Sequence, residues 1–334
     1  MADLHGKERA DAIDAVRKTL LTAAAGVAAL VGLSFTARTY FLSRRGQITD
    51  RYSKAVTQLA AGKLEERLGG IFALEHLMVE SPRDHDTVLE VLAAFVREHA
   101  PLASAPGAAA DTGQAPVAEP WTDPKPATDV QAALTVIARR PNRHERNKLD
   151  LRRANLRGAE LTRARLDRAM LDQSDLRWAQ LIDASMRGAS LVEVQMQGAY
   201  LTGADLREAV LIEGRFRDAW LDGAQLQGAD FYGTWLESAN LTRAQLQEAK
   251  LDGARLGNAT LDGAQLQGAA LHGRPHLWSM NVTAEQLAGC DMDGKTQLPP
   301  GLAAAVRNHS TRRAPRAHRG ASEPREPKPH GDEG

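Results

Sequence analysis

Residues 154–168 read Ala-Asn-Leu-Arg-Gly-Ala-Glu-Leu-Thr-Arg-Ala-Arg-Leu-Asp-Arg, three copies of a five-residue pattern that runs on far beyond them. From Leu151 to Leu271 every fifth residue is apolar; 21 of these 25 positions are Leu, and the others are Met186, Met196, Phe216 and Phe231. Two residues before each of the last 24 stands a small residue, Ala in 20 cases and Ser174, Val194, Gly214 and Thr234 in the rest. No straight element can use this spacing. Five residues of α-helix advance ~500°, so successive Leu side chains would point ~140° apart. In a straight strand an odd spacing sends them to alternate faces. The backbone must therefore turn once per pentad, so that every Leu points to one axis.

Turns near 90° close a coil of four pentads, or 20 residues. The four exceptions to Ala lie 20 apart, which stacks them in one column of four consecutive coils. Gly214 precedes Phe216 by two residues, so the smallest inner residue accompanies a large one, as a close-packed interior requires. About six coils at ~4.8 Å make a rod ~29 Å long, paired coil to coil like a parallel ladder.

This run resembles the pentapeptide-repeat pattern, A(D/N)LXX, over about 120 residues of the chain. The resemblance implies a mainly β fold, a right-handed quadrilateral parallel β-helix with Leu at the inward centre of each side, spanning 149–273. R-Y-S-K-A-V-T-Q-L, R-L-G-G-I-F-A-L-E and S-P-R-D-H in the N-terminal half are similar to membrane-anchored bacterial members of that family. The resemblance carries over no activity and no functional residues.

Outside the repeats, 1–18 is a polar N-terminal segment, and Thr19–Ala37 holds no charged residue. Nineteen helical residues reach ~28 Å, about one hydrocarbon thickness, so 19–37 reads as a transmembrane helix, with a buried core helix as the alternative. Arg38, Tyr40, Arg44 and Arg45 form an interfacial flank. Bulky Phe35 two residues before the best cleavage point argues against a signal peptide. Basic residues of the 38–54 side place the body on the cytoplasmic side of a single-pass membrane protein.

Residues 52–100 read as a small helical domain. Leu64, Leu68, Ile71, Leu74 and Met78 form one apolar stripe, and Val88, Leu92, Phe95 and Val96 a second. Gly69-Gly70 interrupts the first, which suits close packing against another helix. Helix starts are expected at Ser81 (with Pro82 and Asp84), at Thr128 (with Gln131) and at Thr283 (with Gln286), each a capping box, with Gly289 ending the last. Residues 101–127 are rich in Pro, Ala and Gly and read as a flexible linker. Residues 128–148 supply an N-terminal capping helix, and 274–301 a C-terminal cap. The two would cover the solenoid's open ends with Leu134, Ile137, Leu287 and Leu298. The Arg-rich tail 302–334 reads as disordered.

Composition excludes much chemistry. Lys+Arg 42 and Asp+Glu 42 cancel, so no net field steers the molecule to nucleic acid. The single Cys290 excludes an intramolecular disulfide and a Cys-based zinc site. His272 and His276 stand four apart, but Pro275 argues against a helix and no third ligand is evident. Asp84, His85, Asp86 and His99 could form a polar cluster, with capping the simpler role. No nucleotide loop or nucleophile elbow is present. The expectation is a protein with no catalytic, cofactor-binding or metal site and no cofactor.

The informative outward positions are apolar. Val192, Ile212 and Tyr232 share one column, with Val210 and Met170 beside it; Trp235 lies on the adjoining side, and Tyr200 and Trp220 on the next. An exposed strip with aromatic members is what a binding surface needs, and cover by the chain's own helices is the competing account. The expected function is a membrane-tethered scaffold that binds a protein of unspecified identity, with a homodimer through the strip as one form. The alternative is a DNA mimic protecting a topoisomerase, since some pentapeptide-repeat proteins protect DNA gyrase. Residues 150–271 carry 17 Asp+Glu against 14 Lys+Arg, too balanced for phosphate mimicry.

Overall fold

The computed structural model describes residues 47–102, 125–271 and 281–313, together with Arg17, Ser34, Phe35 and Arg38. All of the segment 19–37 read as transmembrane except Ser34 and Phe35, most of the linker and the tail beyond 313 lie outside the described residues. Among the described residues no helix is long and apolar enough to cross a membrane.

The period of 20 is met along the whole rod. Parallel bridges join Asp150 to Met170, Asn155 to Asp175, Glu160 to Gln180 and Arg165 to Ser185, and each series repeats in steps of 20. Four sides result: face 1 with the 150 series, face 2 with 155, face 3 with 160 and face 4 with 165. Each side contributes a single paired residue, so the ladder consists of isolated bridges with no extended strand among the described residues. The physical reason is the turn that ends every pentad. Its closing bond runs from each inner small residue from Ala159 to Ala269 to the carbonyl three positions back, as in Ala159 N–H to Leu156 at 3.0 Å. The residue before that donor has positive φ at all 24 corners from Arg153 to Gly268. Fourteen of them are not glycine, and each such residue costs roughly 1–2 kcal/mol. Coil-to-coil hydrogen bonds and core burial hold them there.

The core is the Leu column and its small companions, buried throughout 149–271. Ser174, Val194, Gly214 and Thr234 do stack in one column: the N–H after each donates to the carbonyl of the one before, as in Arg215 N–H to Val194 at 2.8 Å. The inward hydroxyls are satisfied, Ser174 donating to Leu171 at 2.6 Å and Thr234 to Leu211 at 2.8 Å.

The helices gather at the rod's two ends. Helix α1 occupies 47–59, and α2 (Leu64–Glu80) folds back along it. Gly70 makes this approach possible, since a Cβ there would stand 2.6 Å from the Leu59 nitrogen and 2.7 Å from the Ala55 oxygen. Ile71, Leu74 and Met78 are buried as the stripe requires, but Leu64 is exposed and Leu68 only partly buried. Helices α3 (His85–His99) and α4 (Thr128–Arg139) pack with α2, and Val88, Leu92, Phe95, Val96, Leu134 and Ile137 are buried.

This bundle sits on the first coil. Asn155 N–H donates to Ala100 at 2.7 Å, and Leu102 N–H to Arg153 at 3.2 Å. Gln131 brackets Glu160 with two 3.0 Å bonds, and Arg165 N–H reaches Ala138. Arg140, 4% exposed, donates to Ile137 and Arg165 carbonyls and binds Glu145 through two nitrogens. Burial alone would raise the Glu145 carboxyl, but hydrogen bonds from Arg140 and His85 hold it below the ordinary range.

Two helix starts differ from the capping-box expectation. Helix α3 begins at His85 with Asp84 as N-cap, because the Asp84 carboxylate accepts the Ser81 hydroxyl at 2.5 Å and neither group caps an N–H. Helix α4 begins at Thr128 itself, because tertiary partners take its first-turn groups: Asp129 pairs with Arg67 at 2.6 Å and Gln131 with the solenoid. The third box is present, with Thr283 and Gln286 capping reciprocally at the head of α5 (Ala284–Leu287). That helix stops before Gly289, whose carbonyl accepts from Gly263 in the last coil. The disordered reading of 302–334 is corrected over its first part, where α6 (Pro300–Arg313) continues the chain. Ala-rich 302–306 favours helix, and Leu302 and Val306 pack inward.

Candidate functional site

The outward columns place the candidate binding residues on three faces. Face 1 carries Val192, Ile212 and Tyr232 as successive rungs. Their carbonyls accept from the corner N–H groups of Gln173, Glu193 and Glu213 in the preceding coils, at 2.8, 2.9 and 2.9 Å. Val210 lies beside them in the bridge series Met170, Ser190, Val210. All four are partly exposed, none fully. The foot of the strip opens into a shallow groove of about 640 Å³ lined by Arg97, Asp150, Arg152, Arg153, Asp172, Gln173 and Val192. Helix α3 meets this face only at its foot, through Arg97 and Asp150. Arg152 binds the Asp150 carboxylate through two nitrogens and holds it below the ordinary carboxylate range.

Tyr200 and Trp220 form a stacked pair on face 3, with ring centroids 6.4 Å apart and planes 13° off parallel. In a four-sided coil face 3 is opposite face 1, so these aromatics do not extend the Val192 strip. Trp235 stands on face 2 between Arg215 and Arg255, whose guanidinium carbons lie 5.1 and 4.1 Å from its ring centroid. Sequence reasoning missed Trp178. It is 36% exposed at the corner of faces 2 and 3, with the Arg157 guanidinium 4.2 Å above its ring. The available signal was Gly198, 20 residues on. A Cβ there would stand 2.8 Å from the Trp178 Nε1, so only glycine lets the indole lie on the next coil.

The polar residues named as a possible cluster are dispersed. Asp84 binds Ser81, Asp86 accepts from the Arg146 N–H, and His85 is buried 3.5 Å from Glu145. His99 stacks on Phe95 at the far end of α3. Among the described residues no three His, Cys, Asp or Glu are placed to hold a metal ion, and His272 and His276 lie outside them. Cys290 is no nucleophile. Burial first, then Asp262 and Asp291, push its thiol up to about 12, and it donates to the Leu261 carbonyl. Iodoacetamide at pH 8 should therefore label the half-buried Cys290 slowly in the native protein and rapidly after denaturation, as intact mass will show; equally rapid native labelling would contradict the raised thiol.

Residues 150–188, 189–228, 208–243 and 239–273 match the family model for pentapeptide repeats, in eight copies. No curated protein is significantly similar to the chain. Among solved structures, HetL, a pentapeptide repeat protein involved in heterocyst differentiation regulation from the cyanobacterium Nostoc, is 25% identical. It matches over 43% of this chain and 70% of its own, with a TM-score of 0.28. QnrB1, a plasmid-mediated fluoroquinolone resistance protein, is 17% identical over 49% of this chain and 85% of its own, with a TM-score of 0.33. A pentapeptide repeat protein of the Arabidopsis thaliana thylakoid lumen is 25% identical over 35% and 68%, with a TM-score of 0.26.

Proposed function

We propose, for a chain whose residues 150–273 are a pentapeptide-repeat domain, that the solenoid is a non-enzymatic scaffold presenting face 1 to a protein partner. The observation that carries this reading is the strip of Val192, Ile212 and Tyr232, one rung per coil, partly exposed on a rod whose other outward positions are mostly polar. Ladder hydrogen bonds fix the rungs, so docking costs little conformational entropy. Thr19–Ala37 would tether the scaffold to a membrane, with the rod in the cytoplasm of a bacterial cell. A DNA mimic would need a strongly acidic rod, and 17 carboxylates against 14 basic groups in 150–271 do not supply one.

The test is affinity capture of the detergent-solubilised protein from its native cells, beside a variant carrying Val192→Lys, Ile212→Lys and Tyr232→Lys. All three sites point outward, so circular dichroism should be unchanged. A partner recovered with the wild type should fall by about tenfold or more with the variant, the loss of a hot-spot contact. Equal recovery with both would remove face 1 as the interaction site. A topoisomerase recovered with both would favour the mimic. Fractionation of a variant lacking 19–37 tests the tether separately, since a protein that stays in the membrane fraction is not anchored there.

A further inference from the structure

The three exposed large apolar side chains of the rod fall together. Tyr200 and Trp220, 36% and 49% exposed, stack on face 3, and Trp178, also 36% exposed, stands at the edge of that face. Face 3 is also sparsely charged. Over the second to fifth coils it is clear of the bonds that Lys125 and Gln131 make to Glu160 in the first. There its three outward columns hold only Asp183, Asp222 and Arg243 as charged residues.

These columns are complementary to themselves. A two-fold axis set across the rod, between the third and fourth coils, brings a second copy against face 3 antiparallel, and each column then faces itself in reverse order. Trp220 of one copy meets Tyr200 of the other, Gln180 meets Asn240, and Asp183 meets Arg243, each contact occurring twice. Asp222 meets Thr202, so no like charges are opposed. Between the two ion pairs the corner residues are Gly203 and Gly223, which leave no side chain between the facing backbones. Arg243 is exposed and makes no ion pair among the described residues. Asp183 has one, to Arg163 at 3.7 Å, with the two side chains 53% and 81% exposed, a pair worth little in water. The face 1 strip fails the same operation. Centred on Ile212, it sets Asp172 against Asp252 and Glu213 against its own counterpart.

We infer that face 3 is a self-association surface whose partner is a second copy of this chain, docked antiparallel with Tyr200 and Trp220 at the centre. Aromatic side chains in the middle of a patch and charge pairs at its rim are the arrangement that concentrates binding energy and fixes register. Four coils span only ~19 Å on one side of a rod, which puts the contact at the small end of specific interfaces. The dimer is therefore reversible and dissociates on dilution. This surface is distinct from the face 1 strip and depends neither on it nor on the 19–37 tether.

The experiment is sedimentation equilibrium of the full chain in a density-matched nonionic detergent across the micromolar range. A monomer–dimer equilibrium is expected. Trp220→Glu should weaken it by about tenfold or more, the loss of a central aromatic contact. Asp183→Arg should weaken it several-fold, because it then faces Arg243 of the second copy. Adding Arg243→Asp to Asp183→Arg should restore association. The pair with Arg163 within one chain stays lost in that double variant, so recovery reads the contact between copies. All these sites point outward, and circular dichroism should report an unchanged fold. The variant carrying Val192→Lys, Ile212→Lys and Tyr232→Lys should associate as the wild type does. A chain that stays monomeric throughout, or association unchanged by Trp220→Glu, would overturn the inference. So would a double variant as weak as Asp183→Arg alone, or association lost through the face 1 substitutions.

Discussion

A chain lacking residues 280–334 should leave a sizing column as a dimer of that chain, while the full protein in the same detergent elutes as one species without that association. The last coil ends in N–H and C=O groups that a following coil would pair, and residues 286–297 occupy them. Gly263 donates to Gly289, Leu266 to Asp291 and Leu271 to Gln297, at 2.9, 2.7 and 2.8 Å, and Asp291 and Gln297 return bonds to Ala264 and Ala269. The Gln286 side chain serves the Leu256 and Ala259 carbonyls at 2.9 Å each, and Leu287 is fully buried. Truncation converts that end into an open ladder edge with apolar side chains behind it, a template for a second rod. The N-terminal bundle still closes the other end, so dimers joined at the C-terminal coils should dominate at low concentration. A single unchanged species in analytical ultracentrifugation would remove the capping role.

The second large effect is expected at Gly214. A Cβ there would lie 2.7 Å from the Phe216 ring and 3.0 Å from the Leu211 oxygen. Gly214→Val forces the ring or the turn to move, and overpacking of this kind costs roughly 1–3 kcal/mol. Phe216→Leu empties part of the same space and is destabilising alone, for the opposite reason. The double variant should be more stable than Gly214→Val alone in urea unfolding, a coupling that identifies shared volume. Additive losses would mean that the two sites do not compete for space.

The solenoid was legible because one pentad buries one large and one small residue, so the sequence period is the structural period. The stacking of Ser174, Val194, Gly214 and Thr234, and the order of the apolar outward columns, followed from the same count of 20. Capping was less legible. Thr283 and Gln286 form their box because the solenoid uses only the Gln286 Nε2, leaving its Oε1 to accept from the Thr283 N–H, whereas Asp129 is taken by Arg67 and both ends of the Gln131 amide by Glu160. Those partners lie 62 and 29 residues away, and no local pattern shows them. Trp178 escaped notice because corner positions are commonly polar or glycine, and its significance depends on Gly198 in the next coil. Tyr200 and Trp220 were already placed two sides on from Val192 by the same count, and the bridge series puts them there, on face 3.

The uniform step of 20 residues between paired positions also bears on how the chain acquires its structure. Every rung between repeat coils closes a loop of the same length, whatever the number of coils already formed, and only the two closing rungs, Gln265 to Asp291 and Ala270 to Gln297, span more. Loop-closure entropy is therefore constant along the rod, and contact separation relative to chain length falls as coils are added. Such a chain grows by zippering. The helical bundle, already bonded to Asn155, Glu160 and Arg165, offers a finished surface on which the first coil can form. Assembly then runs from that end toward Gln297, the order in which a ribosome delivers the residues. Fraying begins at the opposite end, and hydrogen exchange should accordingly quicken from the first coil to the last.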